Sequence, residues 1–151
     1  HLTTIFPEVR VKKFMEMRGA DGGPWRRLCA LPALWAGLCY DDAALEAAWS
    51  LVRDWTDEER QRLRDEVPRT ALKTPFRSTT LQSLAKDVVA IATDGLRARG
   101  CLDANGEDET GYLDQIAEIA ETGRTPAEEL LERYHGRWHQ SVAPVYTDFA
   151  Y

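Results

Sequence analysis

The most informative stretch of this sequence is Val9-Arg10-Val11-Lys12-Lys13-Phe14-Met15-Glu16-Met17-Arg18. Alternate side chains of an extended strand point to opposite faces. One face then carries Arg10, Lys12, Phe14, Glu16 and Arg18, and the other carries Val9, Val11, Met15 and Met17, with Lys13 as an exception. The pattern predicts a strand that packs one face on a core. The opposite face sets a carboxylate two residues from a guanidinium, which suits a metal ion beside a phosphate or, alternatively, a simple solvated face.

The rest of the chain has the pattern of helices and loops. A glycine-rich turn over residues 19–24 follows the strand, and it lacks the Gly-Lys-Ser/Thr ending of a nucleotide-binding P-loop. The first predicted helix covers residues 25–39, is apolar nearly all round and is kinked or broken at Pro32. A second begins at Asp41 or Asp42 and has an apolar stripe of Leu45, Ala48, Trp49 and Val52. The other predicted helices run from residue 56 to just before Pro68, from Thr79 or Thr80 to Gly100, over 112–121 and over 125–136. We therefore expect a mostly α-helical chain with one N-terminal strand.

Local signals define the ends of several of these helices. Thr56 with Glu59, and Thr125 with Glu128, have the spacing of a capping box. Gly100, Gly123 and Gly136 follow the last periodic residues of three helices, where glycine commonly ends a helix.

Composition excludes several classes of protein. The chain has 151 residues, 44% of them hydrophobic, which is enough for one domain with a core. Its net charge of −6 argues against a general nucleic-acid binder. No apolar run approaches the roughly 18 residues of a membrane span. Three widely spaced cysteines suit free thiols in a reducing compartment, and we expect the cytoplasm.

Other constellations give weaker signals. His135 and His139 are four residues apart, but Gly136 interrupts the helix that would align them as metal ligands. The acidic turn over residues 103–110 lacks the spacing of a calcium loop. No Cys-x-x-Cys pair occurs, so the sequence gives no zinc or redox motif.

Several ordered blocks resemble a known family. They are residues 1–35, Leu72-Lys73-Thr74-Pro75-Phe76-Arg77, residues 123–131 and residues 134–146. Together they resemble glutamate–cysteine ligase of the plant and proteobacterial type, in the order that the family has them. The resemblance spans essentially the whole chain, which makes it far more specific than a single short motif.

The resemblance implies a fold and an activity. The fold is α+β, of the glutamine synthetase-like carboxylate–amine ligases, with an antiparallel sheet flanked by helices. The activity is ATP-dependent joining of the γ-carboxylate of L-glutamate to L-cysteine through γ-glutamyl phosphate, the first step of glutathione synthesis. It implies magnesium and ATP as cofactor and co-substrate.

Site residues follow from the same resemblance. Glu16-Met17-Arg18 matches the family's Glu-x-Arg strand, so Glu16 is expected to bind magnesium, and Arg18 to contact the transferred phosphoryl group and the nucleotide. Arg77 lies in another family block and is a candidate nucleotide contact, with a structural salt bridge as the alternative.

The chain begins at His1 inside a family block, and we expect it to be the carboxyl-terminal part of one catalytic domain. Residues 1–24 would supply the active-site strand and glycine turn, and residues 25–151 the helical part. The missing amino-terminal part is then the expected partner, and the isolated chain is expected to be inactive. Two alternatives stay open, namely a ligase with another amine acceptor and a non-catalytic helical partner domain.

Overall fold

The computed structural model describes residues 8–20 and 22–150, and these are mostly helical. Two small hairpins interrupt the helices. The elements are β1 (Val9–Val11), β2 (Met15–Met17), α1 (Trp25–Cys39), α2 (Asp42–Val52), α3 (Asp57–Thr70), a 3-10 turn (Ala71–Lys73), β3 (Pro75–Phe76), β4 (Thr79–Thr80), α4 (Leu81–Arg99), a second 3-10 turn (Glu109–Leu113), α5 (Asp114–Thr122), α6 (Pro126–His135) and α7 (Val145–Asp148).

The core lies where α4 crosses α1, and α2 and α5 pack beside this crossing. Glycine makes the crossing possible. A Cβ on Gly95 would lie 1.9 Å from the carbonyl oxygen of Gly37, and a Cβ on Gly37 would lie 2.2 Å from the carbonyl oxygen of Ala92. The two helix backbones are therefore in direct contact. The buried core cluster around them consists of Ala33, Leu38, Ala92, Leu96 and Leu113.

The helix ends follow the local signals. Thr56 with Glu59 and Thr125 with Glu128 both form complete capping boxes, in which each residue's side chain accepts from the other's backbone N–H. Gly100 and Gly123 end α4 and α5 with φ of 62° and 67°, in the left-handed region that favours glycine. Gly136 follows α6 as predicted.

The expectation of one N-terminal strand is wrong, because residues 9–17 form a hairpin. β1 and β2 pair antiparallel, with Arg10 opposite Glu16 and Val11 opposite Met15. The turn between the two strands uses Lys12 and Phe14, and the backbone N–H of Lys12 donates to the carbonyl oxygen of Phe14 at 2.9 Å. The predicted alternation of side chains still holds within the two strands. Residues directly opposite each other in an antiparallel pair share a face, so Arg10 lies on the same face as Glu16, and Val11 on the same face as Met15.

Helix α1 is not buried all round, as its apolar composition had suggested. It buries one face through Ala30, Ala33, Gly37 and Leu38. Trp25 and Tyr40, at and just beyond its two ends, are 75% and 78% exposed. The helix also continues without a break through Pro32, which lies on its exposed side.

The end of α3 and the buried face of α2 also differ from the prediction. Helix α3 continues through Pro68 to Thr70 instead of ending before the proline. In α2 the buried residue is Ala44, whereas Leu45 and Trp49 are exposed. A Cβ on Gly95 would lie 2.9 Å from the Cβ of Ala44, so only a small side chain fits between α2 and α4 there.

Within the described residues, no single helix is long and apolar enough to cross a membrane. Helices α1 and α2 reach that length and composition only when joined, and the chain bends by 93° between them.

We expect Gly95→Ala to destabilise the protein, because its new methyl group would collide with the backbone of α1. The free energy of unfolding should fall by about 1–3 kcal/mol, the usual cost of overpacking. Gly111→Ala is the matched control, since its Cβ would meet no atom within 4 Å. Urea unfolding followed by circular dichroism measures both variants. Equal stability of Gly95→Ala and Gly111→Ala would contradict the close helix crossing.

Candidate active site

The hairpin places the sequence-predicted metal and phosphate residues on one short element. Glu16 lies in β2, and Arg18 follows that strand by one residue. The backbone N–H of Arg18 donates to the carbonyl oxygen of Glu8 at 2.8 Å, which closes the open end of the hairpin. Both residues are half-buried. Because they are two residues apart on an extended backbone, their side chains start from the same face.

Glu16 forms an ion pair with the residue directly opposite it. Nε and Nη2 of Arg10 contact Oε2 of Glu16 at 2.6 and 2.5 Å. The hydrogen bond from Arg10 lowers the pKa of Glu16, and the nearby charges of Arg10, Arg18 and Lys12 add to that effect, against partial desolvation. Glu16 is therefore a carboxylate at neutral pH, held among cations.

This environment fits one ligand of a hard cation. Both contacts from Arg10 go to Oε2 of Glu16, which leaves Oε1 for another partner. In the described part of the chain, no three His, Cys, Asp or Glu side chains come together as a metal cage. Magnesium is commonly held by one or two carboxylates together with substrate phosphates. The hairpin can thus contribute a single carboxylate to a site whose other ligands lie elsewhere.

The hairpin has little support from the helices. It has no extensive interface with any of them in residues 8–20 and 22–150. An exposed salt bridge between Glu8 and Arg64, at 3.1 Å, links it to α3. Its apolar face is open, with Val11 and Met15 at 76% and 61% exposed. An isolated two-stranded hairpin is at best marginally stable.

Arg77 lies in a different part of the fold. It occupies the turn between β3 and β4 with φ of 50°, an unusual conformation for a residue with a side chain. Its Nε and Nη2 donate to Oε1 and Oε2 of Glu59, both at 2.7 Å. Nη2 also donates to the carbonyl oxygen of Asp54 at 2.8 Å. The guanidinium lies 5.4 Å from the ring centroid of Phe76.

These contacts give Arg77 a structural task. Its bidentate pair with Glu59 joins the β3–β4 turn to the start of α3. Phe76 beside it is buried and lies 4.7 Å from the ring of Trp55. The salt bridge, left open as an alternative in the sequence, is therefore present, and a nucleotide contact by Arg77 stays a prediction.

Glu59 carries two roles at once. It accepts from the backbone N–H of Thr56 at 3.0 Å as part of the capping box, and it accepts both hydrogen bonds from Arg77. The bonds from Arg77, followed by the one from Thr56, lower the pKa of Glu59 to about 2.

Sequence reasoning missed the partners Arg10 and Glu59. Arg10 was placed on the same face as Glu16, but only a turn at residues 12–14 sets the two side chains directly opposite each other. Glu59 was recognised as a capping residue, and its pairing with Arg77 joins residues 18 positions apart. The thiols of Cys29, Cys39 and Cys101 are free.

Comparison with known proteins identifies the family of this chain. Residues 1–148 match the family described as Glutamate-cysteine ligase family 2 (GCS2). The chain belongs to this family.

The chain is also similar to plant enzymes along its entire length. It is 57% identical to the chloroplastic glutamate–cysteine ligase of Arabidopsis thaliana and 56% identical to that of Solanum lycopersicum. It is 50% identical to glutamate–cysteine ligase A, chloroplastic, of Oryza sativa subsp. indica. All 151 residues align in each case, but they span only 28% of the first two proteins and 30% of the third.

The names of these relatives correct one expectation. They are called chloroplastic, so the prediction of a cytoplasmic protein is wrong. The physical reason is that wide cysteine spacing indicates only the absence of a disulfide framework. It does not distinguish one reducing compartment from another.

We expect Arg77→Met to raise the pKa of Glu59 towards its ordinary value. A carboxyl whose pKa is lowered in the folded state stabilises that state above its unfolded pKa, and the contribution is lost as pH falls through the folded pKa. For the pKa of Glu59 this window runs from the ordinary value of 4.5 down to about 2. The variant should therefore lose stability at pH 7, and its deficit should shrink as pH falls through that window.

An NMR titration of the Glu59 carboxyl in each variant measures this change directly. Arg62→Met is the matched control, because Arg62 pairs with Glu66 at 3.0 Å on the exposed surface of the same helix. The control should leave the Glu59 titration unchanged. An identical titration in Arg77→Met and the native protein would contradict the assigned clamp.

Proposed function

We propose that this chain is part of a ligase that joins the γ-carboxylate of L-glutamate to the amine of L-cysteine with consumption of ATP. The family membership carries this proposal. The hairpin supports it, since it presents an ionised Glu16 and the cations Arg10 and Arg18 on one small element. The reaction would be the first step in making glutathione.

The chemistry explains why such an element is needed. A carboxylate is a poor electrophile, so transfer of the γ-phosphoryl group of ATP to glutamate would give γ-glutamyl phosphate and ADP. The amine of cysteine would then attack the acyl carbon, with inorganic phosphate as the leaving group and loss of a proton from the amine. Charge spreads over the phosphoryl oxygens during the transfer, and fixed cations and hydrogen-bond donors stabilise it. A bound magnesium ion would supply further Lewis-acid stabilisation of these oxygens.

Each hairpin residue then has a distinct task. Glu16 would hold magnesium through the carboxylate oxygen that Arg10 leaves open. Arg10 donates to Oε2 of Glu16 and lowers the pKa of this carboxyl. Arg18 would contact the phosphoryl group, for which the planar guanidinium offers paired donors.

The remainder of the enzyme is a required partner in this proposal. The chain spans about 28% of the length of its relatives, and its hairpin contributes one candidate metal ligand. The other ligands and most substrate contacts would come from the amino-terminal part. The names of the relatives support a plastid as the place where the whole enzyme works.

Glu16→Gln in the complete enzyme should weaken magnesium binding and reduce turnover by large factors, because the amide keeps the shape but loses the charge. Arg10→Gln is the critical comparison, since it removes the same ion pair but leaves the carboxylate. Magnesium titrations of the steady-state rate measure both. Equal effects of the two variants, with normal magnesium dependence, would show that Glu16 serves only the ion pair.

Arg18→Lys should lower kcat more than it raises any KM. Lysine keeps the charge but cannot make the bidentate contact, and this contact is strongest in the transition state. Arg69→Lys, on the exposed surface of α3, is the control and should retain full activity. If Arg18→Lys changed only the KM for cysteine, Arg18 would belong to the amine-acceptor side of the site.

The proposed activity is tested by ADP release that depends on glutamate, cysteine and magnesium. We expect turnover from the full-length protein and none from the 151-residue chain alone. Activity with a different amine in place of cysteine would indicate a related ligase, and its absence with every amine would favour a non-catalytic domain. Full turnover by the short chain would contradict the assignment of the missing ligands to the amino-terminal part.

A further inference from the structure

Helix α1 carries apolar residues on two opposite sides. One side packs against α4 through residues such as Ala33 and Gly37. The spacing of Trp25, Leu28 and Pro32 places these three together on the other side of the helix, and all three are exposed. The exposed fractions of Trp25 and Leu28 are 75% and 49%. Helix α1 therefore presents an apolar side to solvent.

This side of α1 has no charge along most of its length. Arg26 and Arg27 lie in the first turn, and residues 28–39 include no charged side chain. A surface helix normally carries charged and polar residues opposite its buried stripe, whereas a helix that is apolar all round is normally buried. The composition of α1 is thus that of a helix covered on both sides.

Helix α2 shows how an exposed helix of this protein differs. Leu45 and Trp49 lie on its outer side with exposed fractions of 47% and 55%. Asp42 and Glu46 each lie three residues before one of them, on the same side, and both are exposed. Charged and apolar side chains alternate there, which is typical of a helix that faces water.

The apolar side of α1 continues onto the second 3-10 turn. A cavity of about 130 Å³ lies between Trp25 and Cys29 of α1 and Tyr112 of that turn. Tyr112 also lines a neighbouring cavity together with Leu102, and these two side chains are 54% and 64% exposed. Together, these apolar groups form what we call the outer surface of α1: Trp25, Leu28, Pro32, Leu102 and Tyr112.

Carboxylates border this surface at one end. The cavity beside Leu102 and Tyr112 is also lined by Asp103, Glu107, Asp108 and Glu109. An apolar centre with a charged rim is the usual anatomy of a protein interface, and contiguous exposed apolar groups commonly mark one. The outer surface of α1 therefore has the composition of a docking surface.

We propose that the outer surface of α1 is covered by the part of the same polypeptide that lies outside this chain. The inference rests on the proposed function only in taking the chain as part of a longer enzyme. The chain covers 28% of the tomato and Arabidopsis relatives, so most of the length of those enzymes lies outside it. A covalently joined segment is present at a high effective concentration, which favours it over a separate molecule.

A second copy of the chain would leave more apolar surface open. The hairpin also has an open apolar face, with Val11 and Met15 exposed, and only residues 18–24 separate it from α1. A two-fold contact between copies buries one self-complementary patch. One large body can cover both the hairpin and the outer surface of α1, because the two elements follow each other directly in the sequence.

Hydroxyl-radical footprinting of the full-length protein, analysed by mass spectrometry, measures the access of water to single tryptophans. Trp25 and Trp49 are a matched pair with the same intrinsic reactivity, and they are 75% and 55% exposed in this chain. These fractions alone would make Trp25 the faster to oxidise. With the outer surface of α1 covered, we expect Trp25 to be oxidised several-fold more slowly than Trp49. Oxidation of Trp25 at the rate of Trp49 or faster would overturn the inference.

Leu28→Asp in the full-length protein gives a second measurement. The new carboxylate would be buried without a partner, so the variant should have a lower Tm than the native protein and a faster oxidation of Trp25. Leu45→Asp is the matched control, because Leu45 is exposed to nearly the same fraction as Leu28 but lies beside charged residues. An equal Tm of the two variants would contradict the proposed cover. The footprint of the native protein decides the question if Leu28→Asp does not fold.

The occupant is identified by repeating the footprint across a dilution series whose oligomeric state is followed by sedimentation velocity. Protection of Trp25 that persists in the monomer supports cover by the same polypeptide. Protection that disappears as a dimer dissociates would show that a second copy covers the surface, and would overturn the proposal.

The ligase assay distinguishes this inference from the proposed function. An enzyme that releases ADP with glutamate and cysteine, but whose Trp25 is oxidised as fast as Trp49, would refute the inference and leave the activity. A protein whose Trp25 is protected, but which releases no ADP with any amine, would refute the activity and leave the docking surface.

Discussion

The contact between α1 and α4 at Gly37 and Gly95 is the constraint on which the fold depends. Two helix backbones that touch leave no room for a Cβ, and α2 approaches the same point through Ala44. The close crossing buries small residues and leaves the large Leu45 and Trp49 outside. It also fixes α4 as the element against which α1, α2 and α5 are arranged.

The candidate active site has a different physical character. Its hairpin is held by its own backbone hydrogen bonds, the Arg10–Glu16 pair and an exposed link to α3. The open apolar face of Val11 and Met15 indicates that more protein is needed to bury it. This agrees with a chain that spans 28% of its relatives. The phosphate site that we propose would need cations from several segments, and the hairpin would supply only some of them.

Arg77 illustrates how a family block can serve the scaffold. Its guanidinium is bound by Glu59 and Asp54, and this pairing also holds the capping box that starts α3. The motif alone could not distinguish a nucleotide contact from a salt bridge, because the two need the same guanidinium. The distance to Glu59 settles that the salt bridge is present, and the conformation of the turn with positive φ belongs to the same arrangement.

The sequence by itself determined the features that depend on neighbouring residues. The capping boxes at Thr56 and Thr125, the helix ends at Gly100 and Gly123, and the mostly helical class all follow from short-range hydrogen bonding and backbone freedom. Only the tertiary structure decided the hairpin register, the exposed face of α2 and the partner of Arg77. Strand pairing, helix crossing and ion pairing join residues through space, and no local pattern specifies which distant residue will lie opposite.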